Sequence, residues 1–150
     1  MATKKIHPDV FKLGLDQFKV TGKTYKIHIL NGDPGDIDGS NAYNYSTTTA
    51  ISDSDTDKFS LAASDAVTFN VSAISGTNGF EAVLSAALNN VGVDHTSSTP
   101  LTAKAYAIVN ETDTKVLAIG NLTNQTLATG TNFDLDVVRV KLPFTEEDVS

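Results

Sequence analysis

Apolar and polar residues alternate with a period of two over several stretches of this chain, the pattern of strands that bury one face. In KTYKIHIL, Tyr25, Ile27 and Ile29 alternate with Thr24, Lys26 and His28, which predicts a strand over about 24–30. In DAVTFNVSA, Val67, Phe69, Val71 and Ala73 fall on one face and Thr68, Asn70 and Ser72 on the other, so this strand is expected to line the core. PLTAKAYAIV and TKVLAIGNL flank the turn-forming Asn110-Glu-Thr-Asp113 and predict a hairpin. The alanines of its first strand imply a closely packed cover. In NFDLDVVRVKL the apolar set shifts from Phe133, Leu135 and Val137 to Val138, Val140 and Leu142, predicting a bulge near Val137 or burial of both faces.

Two segments follow a helical period instead. Pro8 and Asp9 suit a first turn, and Phe11, Leu15 and Phe18 recur at helical spacing, predicting a short helix over 8–18 that Gly14 weakens. Asn78 with Glu81 three positions on forms a capping pattern. Phe80, Val83, Leu84, Ala87 and Leu88 then make an apolar stripe up to Gly92, predicting a helix of about three turns. Residues 31–57 hold Asp, Gly, Ser, Thr and Asn with few large apolar side chains, so they are expected to form a long polar loop, crossed at most by a short strand near 43–49. The acidic end TEEDVS is expected to face solvent.

Together these elements predict a mainly β chain, one domain over 1–150, built as an antiparallel β-sandwich or a partly open barrel with one or two short helices. The 150 residues suit one core, and the chain has no cysteine, so neither a disulfide nor a thiolate metal site can contribute. The opening MATKKIHPDVFKLGL lacks the apolar run of a signal peptide, which predicts synthesis in the cytosol; the Asn-X-Ser/Thr triplets at 44, 70, 110, 121 and 124 are discounted accordingly. No apolar stretch is long enough to predict a membrane-spanning helix.

The formal net charge is −7, yet Lys4, Lys5, Lys12, Lys19, Lys23 and Lys26 place six of the eleven basic residues in the first 26 positions. The average field repels phosphate, and no aromatic-rich basic motif accompanies the lysines. The basic segment over 1–26 is therefore expected to be a solvated face or an anchor that contacts an acidic neighbouring subunit, and nucleic-acid binding is not expected.

Candidate chemistry is sparse. His7, His28 and His95 occur singly, with no His-x-x-x-His spacing and no G-x-S-x-G turn, so neither a zinc site nor a nucleophilic serine is expected. Asp33, Asp36 and Asp38 form one carboxylate cluster and Asp53, Asp55 and Asp57 another. They are weak candidates for Ca²⁺, because neither run has the glycine and terminal glutamate of an EF-hand loop. With no tryptophan platform and no phosphate-binding loop, the reading is no enzyme, no cofactor and no catalytic residue.

Three stretches taken in order, FKLGLDQF with YKIHILNGDPG, then AVTFNVSA, then AKAYAIVNETDTKVLAIGNLTNQTLATGTNFDLDVVRVKL, resemble small virion structural proteins of tailed bacteriophages. The similarity lies in the order of strands and turns. It implies a virion protein made in the host cytoplasm: a capsid decoration or cement protein that contacts the major capsid protein and copies of itself, a head fibre base, or a minor tail protein. The alternative reading is a tail fibre or tail adaptor sandwich that binds a receptor or glycan.

Overall fold

The computed structural model describes residues 5–6, 14–31, 60–76, 79–95, 97–113 and 115–143. The fold is mainly β, with antiparallel sheets and almost no helix. The strands are β1 (Lys5–Ile6), β2 (Tyr25–Leu30), β3 (Ser60–Ala63), β4 (Phe69–Ala73), β5 (Gly79–Leu84), β6 (Leu88–Gly92), β7 (Leu101–Asn110), β8 (Lys115–Leu127), β9 (Asn132–Leu135) and β10 (Arg139–Pro143). They form a five-stranded sheet β1-β8-β7-β2-β3, a three-stranded sheet β10-β5-β4 and a two-stranded sheet β6-β9.

One apolar cluster joins all three sheets. Ile27, Ile29, Ile108 and Leu117 from the large sheet meet Phe69, Ala82, Leu84 and Val140 from the second and Val91, Phe133 and Leu135 from the third. Phe18 is fully buried and packs on Phe69 at a ring-centroid distance of 5.5 Å, while Tyr25 meets Phe69 edge-on at 6.5 Å. Such aromatic contacts combine large apolar burial with a preferred geometry. The large sheet is also buried on its other face, through Leu30, Ala105, Ala107, Val109, Val116 and Ile119. Burial on both sides explains why AYAIV reads as a continuous apolar run. Single bridges from Tyr25 to Val67 and from Ala62 to Val93 tie the large sheet to the other two along one side. On the opposite side no pairing joins β8 to β10 among the described residues, so the sandwich is not a closed barrel.

The hairpin forms as expected. Asn110 Oδ1 accepts from the Asp113 amide at 3.0 Å and its Nδ2 donates to Asp113 Oδ2 at 3.0 Å, which closes the turn. The Thr24 carbonyl accepts from the Glu111 amide, and the Thr24 amide donates to Thr112 Oγ1, fastening the turn to the start of β2.

Other expectations are corrected. The helix expected between 78 and 92 is two strands. Phe80, Ala82 and Leu84 alternate with Glu81 and Val83 along β5, and Ala82 and Leu84 point into the core. Only Phe80 and Leu84 of the expected helical stripe also fit the two-residue period. Glu81, which completed the capping pattern, instead lies between Ser72 and Lys141 in the sheet. The helix expected over 8–18 does not run through Gly14, whose φ of 86° is left-handed; beyond it the chain makes a single 3-10 turn, Leu15–Phe18. Residues 8–13, the polar loop beyond Asn31 up to 57 and the tail from 144 lie outside the described residues.

Strand β3 had no expectation attached to it. Along β4, Phe69 is buried and Val67 and Val71 pack against the core, but Ala73 is exposed, so the expected core face ends one position early. At Val137 the chain changes partners instead of bulging within one strand, leaving β9 beside β6 and entering β10 beside β5. The shift of apolar phase at 137–138 marks that transfer.

Candidate functional site

Two features of the described residues bring chemistry together, and they differ in what they leave available. The first is a polar knot across β2, β3 and the β7–β8 turn. His28 Nδ1 lies 2.9 Å from Ser60 Oγ and His28 Nε2 lies 2.6 Å from Glu111 Oε1. The order serine, imidazole, carboxylate has the layout of a proton relay. A hydroxyl has one proton to give, however, and Ser60 Oγ donates to the Ala62 carbonyl at 3.1 Å. Ser60 is also buried. The Ala62 carbonyl thus competes with His28 for the single proton that a serine nucleophile must pass to its base. The arrangement braces three segments far apart in sequence. Strand alternation put His28 on the polar face, but no spacing linked it to Ser60 or Glu111.

His95 is likewise held: it is buried, with Nε2 2.9 Å from the Leu127 carbonyl and Nδ1 3.1 Å from Thr129 Oγ1. Because a carbonyl only accepts, Nε2 carries a proton. The buried Glu81 carboxylate is met by Arg139 Nη1 at 2.7 Å. Among the described residues no group of three His, Asp or Glu side chains is placed to hold a metal ion. The candidate calcium ligands Asp33, Asp36 and Asp38, with Asp53, Asp55 and Asp57, lie outside the described residues.

The second feature is the open side of the sandwich. A cleft of about 620 Å³ runs between β8 and the β9–β10 segment, with Tyr106 and Gly120 on one wall and Val137, Arg139 and Lys141 on the other. Burial pushes the Tyr106 phenol above its ordinary pKa. Asn121 also lines the cleft, and its buried Oδ1 has no hydrogen-bond partner among the described residues.

The basic segment falls only in part within the described residues. Lys4 and Lys12 lie outside the described residues, and Lys5 sits in β1 opposite Ile119. Lys19 is exposed and Lys26 is half-buried on β2. Lys23 is spent within the molecule, its Nζ 2.8 Å from Asp113 Oδ1. Among the described residues no helix is long and apolar enough to cross a membrane. Comparison of the chain with protein-family models, with characterised proteins and with solved structures finds no match.

Proposed function

We propose that this chain is a virion structural protein of tailed bacteriophages that decorates and stabilises the capsid through protein–protein contacts, with the major capsid protein and copies of itself as partners. The observation that supports it most is where bonding capacity remains free. Among the described residues, His28, Ser60 and Glu111 bond one another and brace the fold, and the outer side of β10 has no strand partner. A contact protein works by buried area and main-chain complementarity and needs no catalytic residue. The β7–β8 hairpin that carries much of the resemblance adds weight. In this reading the protein resides in the virion, takes no cofactor and binds neither nucleic acid nor membrane.

The cleft favours a second reading, a tail fibre or tail adaptor domain that binds a receptor or glycan, because a concave site with an aromatic wall is a usual form for small ligands. Quantitative mass spectrometry of separated heads and tails distinguishes the two. Hundreds of copies with the head fit decoration and a few copies with the tail fit the fibre reading. Absence from every particle would remove both.

A further inference from the structure

The cleft between β8 and the β9–β10 segment combines partly buried apolar surface with charge that the fold does not use. Its floor is the rim of the core: Ala118, Leu135, Val138 and Val140 are buried members of the main apolar cluster. On its walls Tyr106, Leu122 and Val137 pack against that cluster yet stay only half-buried. The space of about 620 Å³ between them lies within the range of about 300–1,000 Å³ that holds a small organic molecule. Filling it would take more of these side chains out of water.

The polar side chains decide what kind of molecule fits. Asn121 reaches the cleft from the edge strand but pairs with Ala105, so its side chain stands on the other face of the sheet. Tyr106, Asp136, Arg139 and Lys141 remain. The Tyr106 ring lies against Gly120 on the edge strand, and its hydroxyl has no hydrogen-bond partner among the described residues. Burial raises the pKa of this phenol, so at neutral pH it keeps its proton and can donate it. Asp136 Oδ1 accepts from the Val137 amide at 2.7 Å, and Arg139 Nη1 donates to Glu81 Oε1 at 2.7 Å. Lys141 is exposed and has no ion-pair partner among the described residues. The lining therefore sets two cations against one carboxylate, and the groups left unengaged, a phenol and an ammonium, both donate. An apolar body that carries an anionic acceptor satisfies the walls and the donors together. A cationic ligand would leave Lys141 opposed, and an uncharged sugar would set hydroxyls against apolar walls.

We propose that this cleft binds an amphipathic acid. The hydrocarbon lies among Leu122, Val137 and Val140, the carboxylate meets Lys141 at the β10 rim, and the Tyr106 phenol donates to a ligand oxygen from the opposite wall. The site rests on the cleft alone and holds for a head or a tail protein.

Isothermal titration of the full chain with decanoate, below its micelle concentration, tests this beside decanol and decylammonium, which keep the apolar body and change the charge. Decanoate is expected to bind more tightly than either. Lys141→Gln should weaken decanoate about two- to fivefold, the worth of an exposed ion pair, and leave decanol unchanged. Lys19→Gln, exposed but outside the cleft, should change neither. Amide shifts on adding decanoate should fall at residues 118–122 and 135–141 and spare Phe69–Ala73 of β4. Absence of binding overturns the inference, as do shifts confined to other surfaces. Equal affinity for decanoate and decanol, untouched by Lys141→Gln, removes the anionic group and the assignment with it. Should Lys141→Gln misfold, the charge series and the shift map on the wild type decide.

Discussion

Gly120 and Tyr106 sit directly opposite each other on β8 and β7, and a Cβ at Gly120 would fall on the tyrosine ring. The glycine is needed for this close approach of an aromatic side chain to the neighbouring backbone. Gly120→Ala should therefore destabilise the protein by about 1–3 kcal/mol, the usual cost of overpacking a filled site. Tyr106→Ala made in addition should recover part of that loss, so urea denaturation of the two single variants and the double variant should show strong non-additivity. Simple additivity would mean the ring is free to move aside. A second residue-scale expectation concerns Asp113. Its carboxyl is held below the ordinary pKa first by the hydrogen bond from Lys23, then by the charge of Lys23, the Asn110 amide and the charge of Lys115, which together outweigh an opposing desolvation. The folded state thus takes up this proton less readily than the unfolded chain. The resulting stabilisation is present above the ordinary carboxylate pKa of about 3.9 and is lost as pH falls through the lower folded value. The stability advantage of the wild type over Asp113→Asn should shrink between pH 7 and strongly acid solution. A constant gap in urea midpoints would show that the charge of Asp113 is not what matters.

At the scale of elements, the segment from Gly79 to Gly92 shows what decides between helix and strand when periodicity does not. Phe80 and Leu84 fit both periods, but Asn90 has φ of 57°, and the β6–β9 register shifts between Leu88 and Val91. The Asn90 amide donates to Asp134 Oδ1 at 2.8 Å, fixing this irregular step to β9. Left-handed backbone is tolerated by glycine and asparagine and opposed by β-branched residues. Asn90→Gly should be close to neutral, and Asn90→Val should cost about 1–2 kcal/mol in a thermal or urea melt. Equal stability of the two would place the strain elsewhere. Legibility in the sequence follows the same physics. Strands β2, β4, β7 and β8 were readable because one face is apolar or because turn residues bracket them, as Asn110 and Asp113 do. Strand β3 was not, since Ser60-Leu-Ala-Ala63 is short, small and without alternation. The knot of His28, Ser60 and Glu111 was hidden for another reason. Ser60 and Glu111 lie 32 and 83 positions from His28, and only the pairing of β2 with β3 and β7 brings them together.

At the scale of the whole molecule, burial and pairing are unevenly distributed, and local stability should follow. Strands β2 and β7 each have neighbours on both sides, and the sheet around them is buried on both faces. Their amides can reach solvent only when the core comes apart. By contrast, Thr123–Thr126 of β8 are exposed on both faces and have no described outer neighbour, so they can open without disturbing the core. Hydrogen exchange should accordingly divide into two classes. The amides of Ile27, Ile29 and Ala107–Val109 should exchange with the free energy of global unfolding measured in urea, while those of Thr123–Thr126 exchange much faster in dilute solution. If these edge amides were already as protected as those of β7 in dilute monomer, the edge would be covered by the chain itself, and β8 would be an interior strand with no edge to offer.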